Sequence, residues 1–304
     1  MKKSFLLSDN KLVLSSENDC TVMIFENPDD EEKKKLTEKF KIDEHTLQSS
    51  LDPDELSRLE FESDHIALIA KKPKRYSSDD NFLFKVTSYG LFLFADKLII
   101  VTDEPLSFID DKKFMKVGSL RELTIKILFQ SVFHFNEHLK SISLISSDLE
   151  NKLRESMENK YLLYMFSLSK SLVYYLNAIS SNSILLQKLT INETKMQLTE
   201  DEKEILEDLR IENSQCYRLA EIYSNILSGM MDARASIVSN NLNSLMKTLN
   251  IITIGIMVPT FVVSAFSMNV KIPLEERPEA FWIIMGFAII SVLGFLAFWR
   301  LKKW

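Results

Sequence analysis

The 304-residue sequence predicts an α/β N-terminal domain, then long helices, then a C-terminal hairpin of two transmembrane helices. Three observations favour this class: short β-favouring apolar runs early in the chain, a long central stretch without proline or glycine, and two charge-free runs near the end. The expected segments are a cytosolic α/β domain (1–118), an antiparallel helical pair (119–198), a stalk helix (199–248), a first transmembrane helix (249–267), an outer loop (268–280), a second transmembrane helix (281–299) and a basic cytosolic tail (300–304).

Composition narrows the class of partner. The net charge of -6 argues against a nucleic-acid surface, which needs clustered lysine and arginine to neutralise phosphates. The two cysteines, Cys20 and Cys216, are far apart and form no CxxC pair, so neither a disulfide framework nor a zinc ribbon is expected. The first residues lack a continuous apolar stretch, so we expect no signal peptide and a domain that stays in the cytosol.

The N-terminal domain is predicted from alternating strand-like and helix-like segments. Polar residues 30–40 favour a helix, whereas Asp-Pro at 52–53 and the lysine-rich stretch 71–80 favour turns or surface loops. The strand-like runs are residues 21–25, 65–70, 91–94 and 98–101.

Long helices are predicted next. Residues 120–198 show helical periodicity, and Thr199 with Glu202 forms a possible capping box for another helix. Apolar residues then continue at steps of three and four without a stop signal, so one helix of about 65 residues, on the order of 100 Å, is expected from Thr199 to Ser267.

The two charge-free runs, residues 249–266 and 281–299, are each about long enough to cross a hydrocarbon core of roughly 30 Å. Tryptophans near the ends of the second run fit an interfacial aromatic belt. Basic residues precede the first run and follow the second, while the connection mixes both charges. We therefore expect a cell-membrane protein with both termini in the cytoplasm.

A polar stripe marks the first span, with members at alternating steps of three and four that share one helix face. Such a stripe could hold two spans together, or line an uncharged pore if several copies surrounded an axis. Pro259 is expected to bend the helix. The stripe comprises Asn243, Met246, Asn250, Thr253, Met257, Thr260, Ser264 and Ser267.

Three segments resemble the CorA magnesium transporter family: NSLMKTL at 243–249, MVPTF at 257–261 and FSMN at 266–269. The family signature is Gly-Met-Asn directly after the first span, and residues 226–233 and 51–60 match more loosely. The resemblance implies a CorA-like funnel, a homopentamer in the lipid bilayer, with the first span lining the pore. It further implies a selectivity loop of Ser267, Met268 and Asn269, and a pore lined inward by Asn243, Met246, Leu249, Met257 and Thr260.

The activity implied by the resemblance is passage of hydrated divalent cations, with Mg²⁺ first and Co²⁺, Ni²⁺ or Zn²⁺ as further candidates, and no enzymatic reaction or cofactor. Two departures keep alternatives open. Ser267 stands where the family has glycine, and Gln48 and Ser49 stand where many members carry acids for ion sensing; Asp208 remains as a possible regulatory ligand. The alternatives are zinc transport, as in the ZntB branch, or a non-conducting membrane-anchored sensor or adaptor.

His134 and His138 form an HxxEH string that formally matches an inverted zinc-peptidase motif. The sequence offers no third ligand, so two ordinary helix histidines are the favoured interpretation.

Overall fold

The computed structural model describes residues 2–8, 10–16, 19–77, 80–106, 117–155, 158–268 and 277–301, and the chain divides into two compact units, residues 1–231 and 232–304. The elements follow in this order: β1 (Lys2–Ser8), β2 (Lys11–Leu14), β3 (Val22–Glu26), α1 (Asp30–Phe40), α2 (Glu44–Ser49), β4 (Arg58–Phe61), β5 (His65–Pro73), β6 (Val86–Phe94), β7 (Leu98–Thr102), α3 (Leu120–Glu155), α4 (Asn159–Ile191), α5 (Glu200–Ala265) and α6 (Ala280–Leu301).

The strands form one sheet in the order β2-β1-β3-β7-β6-β5-β4. The described pairs are antiparallel except β3 with β7, which run parallel, with Ile24 opposite Ile100. The chain between these two partners supplies α1, α2 and the three strands of the far half of the sheet, which makes the domain α/β as expected.

The sheet is covered on both faces, because alternate side chains of a strand point to opposite sides. In β7, Leu98 and Ile100 join the core formed with α3, α4 and the first part of α5. Ile99 and Val101 join a second core formed with α1 and α2, where Leu36 is fully buried. Central strands buried on both faces read as continuous apolar runs, which is why these strands were visible in the sequence.

The four strand-like runs lie within or overlap β3, β5, β6 and β7, and the predicted helix at 30–40 is α1. Asp29 and Glu32 close a reciprocal capping box at the start of α1, at 2.8 and 3.3 Å. The prediction of a loop at 71–80 was wrong at its beginning, because Lys71, Lys72 and Pro73 extend β5 and are buried. The sheet continues there because α4 covers this end.

Asn182 of α4 explains how the helix is fixed to the end of β5. Its side-chain oxygen accepts from the Lys71 backbone N–H at 2.9 Å and from the Ser57 hydroxyl at 2.8 Å. Its side-chain nitrogen donates to the Lys71 carbonyl at 2.9 Å. Each of these buried polar groups is thereby satisfied, as burial requires.

The long helix is continuous. The predicted capping box is present: the Thr199 N–H donates to Glu202 at 2.8 Å, and the Glu202 N–H donates to the Thr199 hydroxyl at 3.3 Å. From there α5 runs as one helix of 66 residues. Its first part contributes Leu206, Leu209 and Cys216 to the core of the first unit.

The second unit contains the remainder of α5 together with α6. Both helices contain apolar segments long enough to cross a membrane, and the residues of those segments are almost entirely unburied within the chain. The predicted second span at 281–299 falls inside α6. Most residues of the expected outer loop and tail, 269–276 and 302–304, lie outside the described residues.

Candidate functional site

The polar stripe occupies an exposed face of α5 in the second unit. Every described member is exposed in the single chain, including Met246 and Met257 at 56% and 63%. Leu249, expected beside them in the pore, is exposed at 57%. Within the described residues, the large apolar and amide side chains of this face are thus left exposed.

The opposite face of α5 approaches α6. A methyl group placed on Gly255 would lie 3.6 Å from the Phe295 ring, and the rings of Phe266 and Phe287 stack with centroids 6.3 Å apart. Ile251, Gly255, Val258, Val262 and Phe266 are correspondingly half-buried. At 100° per residue this set is centred roughly opposite the stripe, although Asn250 and Thr253 also line a groove beside Phe295 and Phe298 of α6.

The stripe hydroxyls are oriented by their own helix. Thr253 donates to the Leu249 carbonyl at 2.8 Å, and Thr260 donates to the Ile256 carbonyl at 2.7 Å. A hydroxyl whose proton is engaged in this way offers only acceptor lone pairs to its surroundings. Those lone pairs suit the water molecules around a cation, because the protons of these waters point away from the ion.

Pro259 lies within α5, which continues to Ala265. Proline has no N–H, so the Gly255 carbonyl lacks its ordinary partner four residues on. Gly255 belongs to the half-buried side near α6. The interruption therefore falls on the packing face, and the hydroxyl bonds of the stripe continue past it.

Ser267 is accommodated at the end of α5 without backbone strain. Its N–H and hydroxyl both bond the Ser264 carbonyl, at 3.1 and 2.9 Å, and its backbone does not adopt the left-handed conformation. The glycine expected at this position is thus not needed for the turn that the structure shows. Met268 is exposed, and Asn269 lies outside the described residues.

Around Gln48 and Ser49, where the resemblance would place an acidic pair, the structure has a cationic group, the Arg58 guanidinium. Its two terminal nitrogens donate to Glu55 at 2.6 Å and to the Ser49 hydroxyl at 3.0 Å, and Nε lies 2.8 Å from Glu60. Ser49 in turn donates to Glu55 at 3.1 Å. Gln48 is exposed beside them and donates to Glu44 at 3.2 Å.

Asp208 lies on an exposed position of α5 in the first unit. Among the residues that the structure describes, no three His, Cys, Asp or Glu side chains are grouped closely enough to hold a metal. Within the described part of one chain, Asp208 therefore belongs to no three-ligand group.

The two histidines of the HxxEH string are packing residues. The His138 ring nitrogen lies 2.6 Å from the Tyr175 hydroxyl, and burial lowers the pKa of His138 to about 4. Burial also lowers the pKa of His134, whose ring lies 3.3 Å from Gln130. The metal-binding interpretation fails within the described chain for want of a third ligand.

Sequence reasoning missed one group of charged residues. Lys71 and Lys72, assigned to a surface loop, are 4% and 6% exposed at the end of β5. In a sequence, a charged run directly after an apolar run indicates that the strand has ended. The enclosure of the two ammonium groups depends on the helix that covers this end of the sheet, which only the structure shows.

Residues 21–303 match the family model described as CorA-like Mg²⁺ transporter protein. The cobalt/magnesium transport protein CorA of Methanocaldococcus jannaschii is 27% identical over 300 residues, covering 91% of this chain and 89% of that protein.

Two solved structures resemble the fold. The complete CorA magnesium transporter of Methanocaldococcus jannaschii superposes with a TM-score of 0.82 at 24% identity, covering 98% of this chain and 96% of that one. The ZntB cytoplasmic domain of Vibrio parahaemolyticus gives 0.62 at 13% identity, covering 78% of this chain and 98% of that one.

Proposed function

Because this chain belongs to the CorA-like Mg²⁺ transporter family, we propose that it moves hydrated divalent cations, Mg²⁺ foremost, across the cell membrane through a homopentameric pore. The observation that carries the proposal is the polar face of α5, whose described members are all exposed and whose centre lies roughly opposite the side that packs on α6. Five such faces around an axis give a continuous, uncharged and wettable path.

The chemistry of the stripe suits a hydrated ion. Mg²⁺ holds its waters tightly and prefers oxygen partners, so neutral amides and hydroxyls can bind the outer surface of the hydrate without removing its shell. A carboxylate in the same place would hold the ion more strongly and slow its release. Met246, Leu249 and Met257 form apolar rings between the polar ones, where the path is narrowed and dewetting opposes leakage.

In this proposal Asn269 forms the ring at the outer mouth, with Ser267 and Met268 supporting it from the end of α5. Segment 268–280 is the outer loop, and both termini lie in the cytoplasm. The side-chain oxygens of five asparagines would meet the arriving hydrate first, which makes this ring the point of selection.

Regulation is proposed at Asp208. An exposed carboxylate outside any three-ligand group binds a divalent ion weakly, but an adjacent subunit could complete the site, and the bound ion would then favour one state of the assembly. Asp208→Ala should raise the Mg²⁺ concentration that closes the pore. An unchanged dose response in proteoliposomes removes Asp208 from the mechanism.

The deciding experiment is ion flux through the full chain reconstituted in liposomes, with Mg²⁺, Co²⁺, Ni²⁺ and Zn²⁺ each tested against an ion-sensitive dye. Subunit number is measured on the same preparation by native mass spectrometry. We expect Mg²⁺ flux from pentamers and its loss in Asn269→Ala.

The results separate the candidates. Zn²⁺ flux that Mg²⁺ does not compete for would replace magnesium transport by zinc transport. Assembled pentamers that carry none of the four ions would refute conduction and leave a sensor or adaptor.

A further inference from the structure

A cleft of about 400 Å³ lies in the first unit between the end of β5, the start of β6 and the middle of α4. Four lysines line it: Lys71, Lys74, Lys85 and Lys170. The carboxylates in its lining are those of Asp54 and Asp103, so the described walls carry an excess of positive charge. Pockets for small molecules have volumes of roughly 300–1,000 Å³, and this cleft lies within that range.

Lys71 shows that the charge is built into the fold. Its side chain is 4% exposed, and among the described residues its ammonium donates one hydrogen bond, to the Pro53 carbonyl. An ammonium has three donors, so two remain for a partner in the cleft. Burial lowers the pKa of Lys71, an effect that Asp54 and two other carboxylates oppose. A bound anion would favour the charged form further.

Two of the other lysines form ion pairs in the wall of the cleft. The Lys74 ammonium lies 3.9 Å from Asp103 and 3.6 Å from Glu104, and that of Lys85 lies 3.6 Å from Asp80. A polyphosphate carries more negative charge than one carboxylate, so it would compete with these carboxylates for both ammonium groups. In the described structure Lys170 forms no ion pair, and its ammonium lies 5.6 Å from the centroid of the Tyr174 ring.

The cleft also has an apolar side. Tyr174 is 39% exposed and lines it together with Leu83, Val86 and Ala178. An aromatic ring beside lysines is the pairing that proteins use for nucleotides, because the base stacks on the ring while the phosphates meet the ammonium groups. A bare phosphate would leave the apolar wall unused.

We propose that this cleft binds a nucleoside polyphosphate, with its phosphates among the four lysines and its base against Tyr174. The cleft belongs to the first unit alone, so the proposal is independent of ion conduction.

The test is isothermal titration of the detergent-solubilised full chain with ATP, pyrophosphate and adenosine, with EDTA present. ATP should bind, more tightly than pyrophosphate, and binding should weaken as salt is raised. Lys85→Glu and Lys170→Glu should each weaken ATP binding roughly tenfold or more, since each reverses a charge facing the phosphates. Tyr174→Ala should weaken ATP binding and leave pyrophosphate binding unchanged.

Lys140→Glu is the matched control, because it makes the same charge change at an exposed position of α3 outside the cleft. Its ATP affinity should equal that of the parent. Absence of ATP binding at millimolar concentration overturns the proposal, as does an equal loss in Lys140→Glu. Pyrophosphate binding as tight as that of ATP, with Tyr174→Ala unchanged, overturns the nucleotide assignment.

Discussion

Replacing Thr253 by valine removes one hydroxyl from the stripe while keeping the shape of the side chain. The matched control is Thr248→Val, five residues earlier on the same helix and thus about 140° around it. Both hydroxyls donate to the carbonyl four residues back, at 2.8 Å for Thr253 and 3.0 Å for Thr248. Both threonines are exposed, so any effect of the substitution on the helix itself should be the same.

The expected effect follows from the acceptors that are lost. In a pentamer, Thr253→Val removes a ring of hydroxyl oxygens that accept hydrogen bonds from the ion's water shell. A net hydrogen bond contributes about 0.5–1.5 kcal/mol, so loss of two contacts to a passing hydrate raises its barrier by about 1–3 kcal/mol. At about 1.4 kcal/mol per factor of ten, Mg²⁺ flux should fall roughly 5- to 150-fold. Thr248→Val should keep the parental rate.

The assay is the initial rate of Mg²⁺ entry into proteoliposomes, normalised to the amount of assembled protein. The thermal unfolding midpoint of each variant is recorded to show that the assembly is intact. If Thr253→Val and Thr248→Val conduct equally well, the stripe does not face the ion and the pore assignment is refuted.

Three further predictions concern other positions. Ser267→Gly should change Mg²⁺ flux by less than roughly twofold, because Ser267 is not in the left-handed region that favours glycine; a large gain in flux would contradict this. Arg58→Met should leave Glu55 without its cation. Added Mg²⁺ should then raise the unfolding midpoint of the variant more than that of the parent. Equal shifts would contradict the idea that Mg²⁺ can take the place of the guanidinium. His138→Gln should flatten the pH dependence of stability, measured against the exposed control His45→Gln. Burial lowers the pKa of His138 to about 4, so the unfolded chain binds more protons between pH 6.5 and 4, and stability falls as the pH drops through that window by at most about 1.4 kcal/mol per pH unit. Parallel stability profiles for the two variants would refute the role of His138.

The features that the sequence predicted are those decided by local pattern. Charge-free runs are long enough to span a bilayer, and central strands buried on both faces are continuously apolar, so α6, β3 and β7 were visible from composition and length. Helix α1 begins and ends where the polar run at 30–40 predicted it. The stripe was visible because helical spacing places its members on one face.

The features that the sequence could not supply depend on contacts between distant segments. Arg58 reaches Ser49 because β4 begins beside the end of α2, and the sequence alone does not distinguish this arginine from a solvated one. Lys71 is enclosed because Asn182, far along the chain, fixes α4 over the end of β5. Strands β1, β2 and β4 were not predicted either, since β2 and β4 are short edge strands and all three mix polar with apolar residues, so none contains a long apolar run.

The threonines of the stripe satisfy two environments with one arrangement. A free hydroxyl facing hydrocarbon is costly, because its donor finds no partner there. Thr253 and Thr260 engage that donor within α5, so the helix can enter a membrane before any partner covers the face. In the proposed pentamer the same geometry would direct lone pairs at water, which is what a hydrated cation requires. An uncharged face is therefore compatible with both stages, whereas a carboxylate at these positions would suit the second and oppose the first.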